Sequence, residues 1–123
     1  MKKETYIYFN EGAGGDALGD DVTYPSSSFT GIDASSTTAL NISFKALTGN
    51  AADDEIALSG FTAGYHKEVC EALAIAMNTN NGGFVVFADQ DNGVYHKELT
   101  RYTDGNGVSG YSTPTAVTIT LDS

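Results

Sequence analysis

Asp89-Gln90-Asp91-Asn92-Gly93 shares the first half of a calcium loop. Carboxylates at alternating positions are how a calcium loop begins, because a hard dication is held by oxygen atoms from several residues of one turn. A helix-loop-helix calcium site also needs an oxygen ligand at its fifth position, glycine at its sixth and a carboxylate at its twelfth. Counted from Asp89, those positions hold Gly93, Val94 and Thr100, so three elements fail. A hairpin turn with acidic shoulders accounts for the same residues without a metal. Asp89 and Asp91 stay as candidates for loose divalent-ion binding, and no metal or cofactor is expected.

Two further constellations hold residue types that chemistry uses. Gly12-Ala13-Gly14-Gly15 follows an apolar run, as a phosphate-binding loop does. The residues after it include Asp16, Asp20 and Asp21, which repel phosphate, and no helical pattern follows to aim an N-terminus at one. For nucleophilic catalysis the groups at hand are Cys70, His66 and His96. His66 and Cys70 are four apart on a helix, but Glu68 and Glu71 give the thiol the wrong electrostatic setting. There is no Gly-x-Ser-x-Gly elbow and no histidine-rich metal spacing. Tyr-His-Lys-Glu occurs at residues 65–68 and 95–98, but the copies diverge at once, one continuing as a helix and the other as a strand. No catalytic residue emerges, and the expectation is that the chain is not an enzyme.

The elements that would position these residues follow from periodicity. Thr5 to Phe9 is aromatic and branched and suits a strand. Leu40, Ile42, Phe44 and Ala46 alternate with polar residues, and Ile56 and Leu58 resume the alternation after a turn, so 38–61 predicts an antiparallel hairpin. Tyr65, Val69, Leu73, Ala76 and Met77 form an apolar stripe that predicts a helix over about 64–78, with Thr62 as N-cap. Phe84 to Ala88 is apolar at every position, as in a strand inside a sheet with the helix over one side. Asn92-Gly93 then turns the chain into a strand over 94–99, and Val117, Ile119 and Leu121 mark a last strand. The expected fold is α+β: one mainly antiparallel sheet of about five to six strands, one helix on one face, and Gly/Ser/Asp-rich loops at 11–36 and 104–114 in a single domain over 1–123.

Composition bounds the partners. The 123 residues hold 16 acidic and six basic groups, for a net charge of -10, which opposes attraction to phosphate backbones and anionic lipid. Neither nucleic acid nor membrane is expected as a partner. One cysteine leaves no intrachain disulfide, and the apolar run after Met1-Lys2-Lys3 is too short for a secretory leader.

The pattern of the whole chain resembles small virion structural proteins of marine tailed phages, such as those infecting cyanobacteria. The stretches that carry the resemblance are Tyr6 to Phe9 with the acidic glycine loop after it, Asp33 to Leu40, Lys67 to Leu73 and Thr118 to Ser123. It covers nearly the full length, but its motifs are structural and transfer no catalytic residue. It implies an accessory capsid protein of the decoration or cement type, located in the virion, with the major capsid protein or other virion proteins as partners. The reading of the residues is compatible: a homo-oligomer docking through its two loops, with Tyr24, Phe29, Ile32, Tyr102 and Tyr111 as interface anchors. The rival expectation is a calcium- or carbohydrate-binding adhesion module, such as a tail or fibre component, using Asp89, Asp91 and exposed tyrosines.

Overall fold

The computed structural model describes residues 4–11, 21–46, 52–79, 83–100 and 113–121. The fold is α+β, built mostly of strands. In chain order these are β1 (Thr5–Asn10), β2 (Asp21–Pro25), β3 (Phe29–Ser36), β4 (Ala39–Phe44), β5 (Asp54–Ser59), α1 (His66–Thr79), β6 (Gly83–Asp89), β7 (Val94–Tyr95), α2 (Lys97–Thr100) and β8 (Ala116–Thr120). A 3-10 turn over Ser26–Ser28 links β2 to β3.

The strands form two sheets of four, which corrects the expectation of one sheet with five to six strands. The first has the order β2-β1-β6-β7 and the second β3-β4-β5-β8. β1 and β6 pair in parallel although α1 and the whole β4–β5 hairpin lie between them in sequence. The second sheet is antiparallel throughout, and the expected hairpin is there with Leu40 opposite Leu58 and Ile42 opposite Ile56. Segment 11–36, expected as a loop, supplies β2 and all of β3. Segment 94–99, expected as a strand, pairs only at Val94 and Tyr95 and then coils into α2, which buries Leu99. His96 Nδ1 accepts the Glu98 backbone N–H at 3.1 Å and so caps that turn. α1 starts later than expected: the chain turns at Thr62, whose carbonyl accepts the Tyr65 N–H, and the first helical bond runs from Val69 N–H to the Tyr65 carbonyl.

The inner faces of both sheets and one side of α1 share a single buried cluster. Ile7, Phe9, Val85 and Phe87 meet Leu40, Ile42, Phe44, Ile56 and Leu58, while α1 contributes Val69, Ala72, Leu73 and Ala76. Phe44 joins the sheets, its ring stacked on Tyr24 at 4.4 Å and tilted against Phe9 and edge-on to Phe29 at 5.8 and 5.9 Å. At its outer edge β8 is closed by side chains: Gln90 Oε1 accepts the Val117 N–H at 2.8 Å and Glu11 Oε2 the Ile119 N–H at 2.7 Å. Acceptors on an edge strand leave fewer free donors for stray pairing.

Tyr24 lies wholly in this core, its hydroxyl donating to the buried Asp54 Oδ2 at 2.8 Å. Burial, and then the Asp54 carboxylate, push the phenol far above its ordinary range. The Tyr24→Phe variant is expected to lose about 1–3 kcal/mol at neutral pH, because a buried carboxylate loses a donor. The folded phenol holds its proton more tightly than the unfolded one, so this contribution is complete below pH ~10 and declines as pH rises past it. Urea unfolding of both proteins between neutral pH and pH 11 checks this: the wild-type advantage should shrink above pH ~10.

Candidate functional site

Strand alternation sends Ile7, Phe9, Val85 and Phe87 inward and leaves the other side of the first sheet to a second row of side chains. Tyr6 stands opposite both Phe84 and Pro25, Tyr8 opposite both Val86 and Thr23, and Asn10 opposite both Asp21 and Asp89. The register shift between Tyr8 and Phe9 takes up Phe87 as an extra residue and brings Asp89 onto this face beside Asn10. Val94 joins it through its pairing with Asp89. The result is an outer face that is apolar over most of its length, with the carboxylates of Asp21 and Asp89 at the Asn10 end.

Three large apolar side chains are open here: Tyr6 is 46% exposed, Phe84 59% and Val94 49%. Tyr8 and Val86 are half-buried between them, with the Tyr8 and Phe84 rings 5.6 Å apart. Scattered apolar residues are ordinary on a protein surface, and neighbouring aromatic rings on one sheet face are what sets this patch apart as a candidate. At one end, Asn10 Nδ2 donates to the Tyr8 hydroxyl at 3.1 Å and that hydroxyl points to Asp21 Oδ2 at 3.4 Å. Burial, with the Asp21 and Asp89 carboxylates nearby, raises the Tyr8 phenol above its ordinary range. At the other end Glu4 Oε1 accepts the Ser27 N–H at 2.6 Å and the Ser26 hydroxyl at 2.8 Å, and these bonds hold its carboxyl below the usual range.

The residues singled out from the sequence fall elsewhere. Tyr24, expected as an interface anchor, is fully buried, because the alternation that exposes Thr23 turns it inward. Phe29 and Ile32 are half-buried on β3 and pack against the core. Tyr102 and Tyr111 lie outside the described residues, as does the loop over 104–112. Asp89 is nearly buried and both its oxygens accept from Asn92, Oδ1 from the backbone N–H at 3.2 Å and Oδ2 from the side-chain amide at 2.9 Å. Asp91 is exposed in the same turn. Among the described residues no group of three or more His, Cys, Asp or Glu side chains is placed to hold a metal ion.

The nucleophile candidates have structural partners. His66 Nε2 lies 2.7 Å from the Ser36 carbonyl and its ring stands edge-on to Phe61 at 5.1 Å. Burial pushes the Cys70 thiol up, away from the thiolate that nucleophilic attack requires. Burial likewise lowers the His96 imidazole, whose Nδ1 is committed to the α2 cap. Among the described residues no helix is long and apolar enough to cross a membrane. In comparisons with known proteins, no family model, no curated sequence and no solved structure matches the chain.

Proposed function

We propose that the chain is a non-enzymatic virion structural protein, an accessory capsid protein of the decoration or cement type, that docks on the major capsid protein or another virion protein through the outer face of its first sheet. The observation that carries this reading is the group of exposed rings of Tyr6 and Phe84 on a sheet whose opposite face is filled by the core. Aromatic side chains gathered at the centre of a patch supply most of the binding energy of protein contacts. The whole-length resemblance to phage virion proteins supplies the setting. Mass spectrometry of purified, nuclease-treated virions tests the proposal: the chain is expected among the particle proteins in many copies per virion, and its absence from them contradicts the reading.

A second reading draws on the same face. Aromatic rings beside the exposed Asp21 carboxylate suit a sugar, whose C–H faces lie on rings and whose hydroxyls bond to carboxylates. An adhesion module in a tail or fibre would bind neutral oligosaccharides on a glycan array and lose them in the Phe84→Ser variant. Its calcium form is less well supported, since Asn92 occupies both oxygens of Asp89.

A further inference from the structure

We infer that the outer face of the first sheet receives a protein surface that is apolar at its centre and basic at the end that meets Asp21; this rests on the docking reading above and adds the chemistry of the partner. Tyr6, Tyr8, Phe84 and Val86 form the apolar centre. Asp21 and Asp89 lie at one end of the face, with Asp91 exposed in the adjoining turn, and Glu4 lies at the other. None of the four strands carries a lysine or arginine. Glu4 follows Lys2-Lys3 and its carboxyl already accepts from Ser26 and Ser27, so the acidic end is the one with the exposed Asp21 and Asp91. It matches a partner that brings Lys or Arg to that end, whose stems can lie along the tyrosine and phenylalanine rings while their heads reach Asp21.

The net charge of -10 opposes a second copy of this chain through long-range repulsion, and it acts against nucleic acid for the same reason. Complementary charge at the Asp21 end steers the partner and fixes its orientation, while the desolvated rings hold it.

The test is an NMR titration of the isotope-labelled full chain with two synthetic peptides, acetyl-Lys-Trp-Lys-Trp-Lys-amide and acetyl-Glu-Trp-Glu-Trp-Glu-amide. The cationic peptide is expected to shift the amides of Tyr6, Tyr8, Phe84, Val86 and Asp21, with an affinity that falls about tenfold between roughly 50 and 500 mM salt. The Phe84→Ser variant should bind it about tenfold more weakly, and Asp21→Asn should flatten the salt dependence. Unchanged β4 and β5 resonances in both variants keep these losses separate from unfolding. The inference is overturned by equal binding of the two peptides, by no response to either, or by shifts confined to other surfaces. It is also overturned by a neutral oligosaccharide such as cellohexaose shifting these residues while the cationic peptide does not, or by a dimer in sedimentation velocity that Phe84→Ser dissociates. The titration needs no virion, so its failure beside a chain found in particles removes only the partner chemistry. Success beside a chain absent from particles removes only the virion setting.

Discussion

Replacing Phe44 by alanine is expected to cost about 3–5 kcal/mol of folding stability, a large share of the roughly 5–15 kcal/mol that holds a domain folded. The size follows from position. Phe44 ends β4 in the second sheet, yet its ring stacks on Tyr24 of β2 and meets Phe9 of β1, both in the first sheet, as well as Phe29 of β3. No polar group is left unpaired by the truncation, so the loss is that of packing and of the cavity that remains. The aromatic contacts add to it, since such pairs contribute about 0.5–1.5 kcal/mol beyond the area they bury. Urea denaturation followed by circular dichroism measures the change. A loss below about 1 kcal/mol would mean that the two sheets are not joined through this ring.

Gly60→Ala is expected to cost about 2–4 kcal/mol, much more than the same change at Gly64. Both glycines have left-handed backbone, with φ of +87° and +88°. They differ in what a Cβ would meet. At Gly64 it would enter open space, whereas at Gly60 it would overlap Thr115 Oγ1 and crowd the Thr115 Cβ at 2.9 Å. Thr115 cannot retreat freely, since its N–H donates to the Ser59 carbonyl at 2.8 Å at the point where β8 begins to pair with β5. Gly64→Ala therefore isolates the backbone strain, about 1 kcal/mol, and the excess at Gly60 measures the collision. Thermal unfolding of the two variants side by side checks the order, and equal losses would contradict it.

Much of the fold is legible in the sequence because its periodicities are clean. Alternation at Leu40, Ile42 and Phe44 and at Ile56 and Leu58 gives the β4–β5 hairpin in its register, and the stripe from Val69 to Ala76 gives α1. The division into two sheets is not legible, because it depends on a parallel pairing of β1 with β6 between residues far apart in sequence, which no local pattern encodes. β2 and β3 are obscured by their composition: Asp21, Thr23 and Pro25 hide the alternation of Val22 and Tyr24, and β3 is a largely exposed edge.

The outer face is obscured for a related reason. Composition draws attention to the Gly/Ser/Asp-rich segments, where Tyr24 and Phe29 look like isolated aromatics, although Tyr24 is buried in the core and Phe29 packs against it. The signal that could have found the outer face lies in β1 and β6, which are apolar at successive positions. Such strands suit cover on both faces, and α1 and the second sheet both lie on the core side. The face left open is the one carrying Tyr6 and Phe84.

The central claim is that this face is covered when the protein reaches its partner. Hydroxyl-radical footprinting, read by mass spectrometry on the free chain and on purified virions, tests it most directly. Oxidation of Tyr6 and Phe84 is expected to fall sharply in the particle while that of Met77, which packs from α1 against the core, changes little. Equal oxidation of Tyr6 and Phe84 in both states would contradict it.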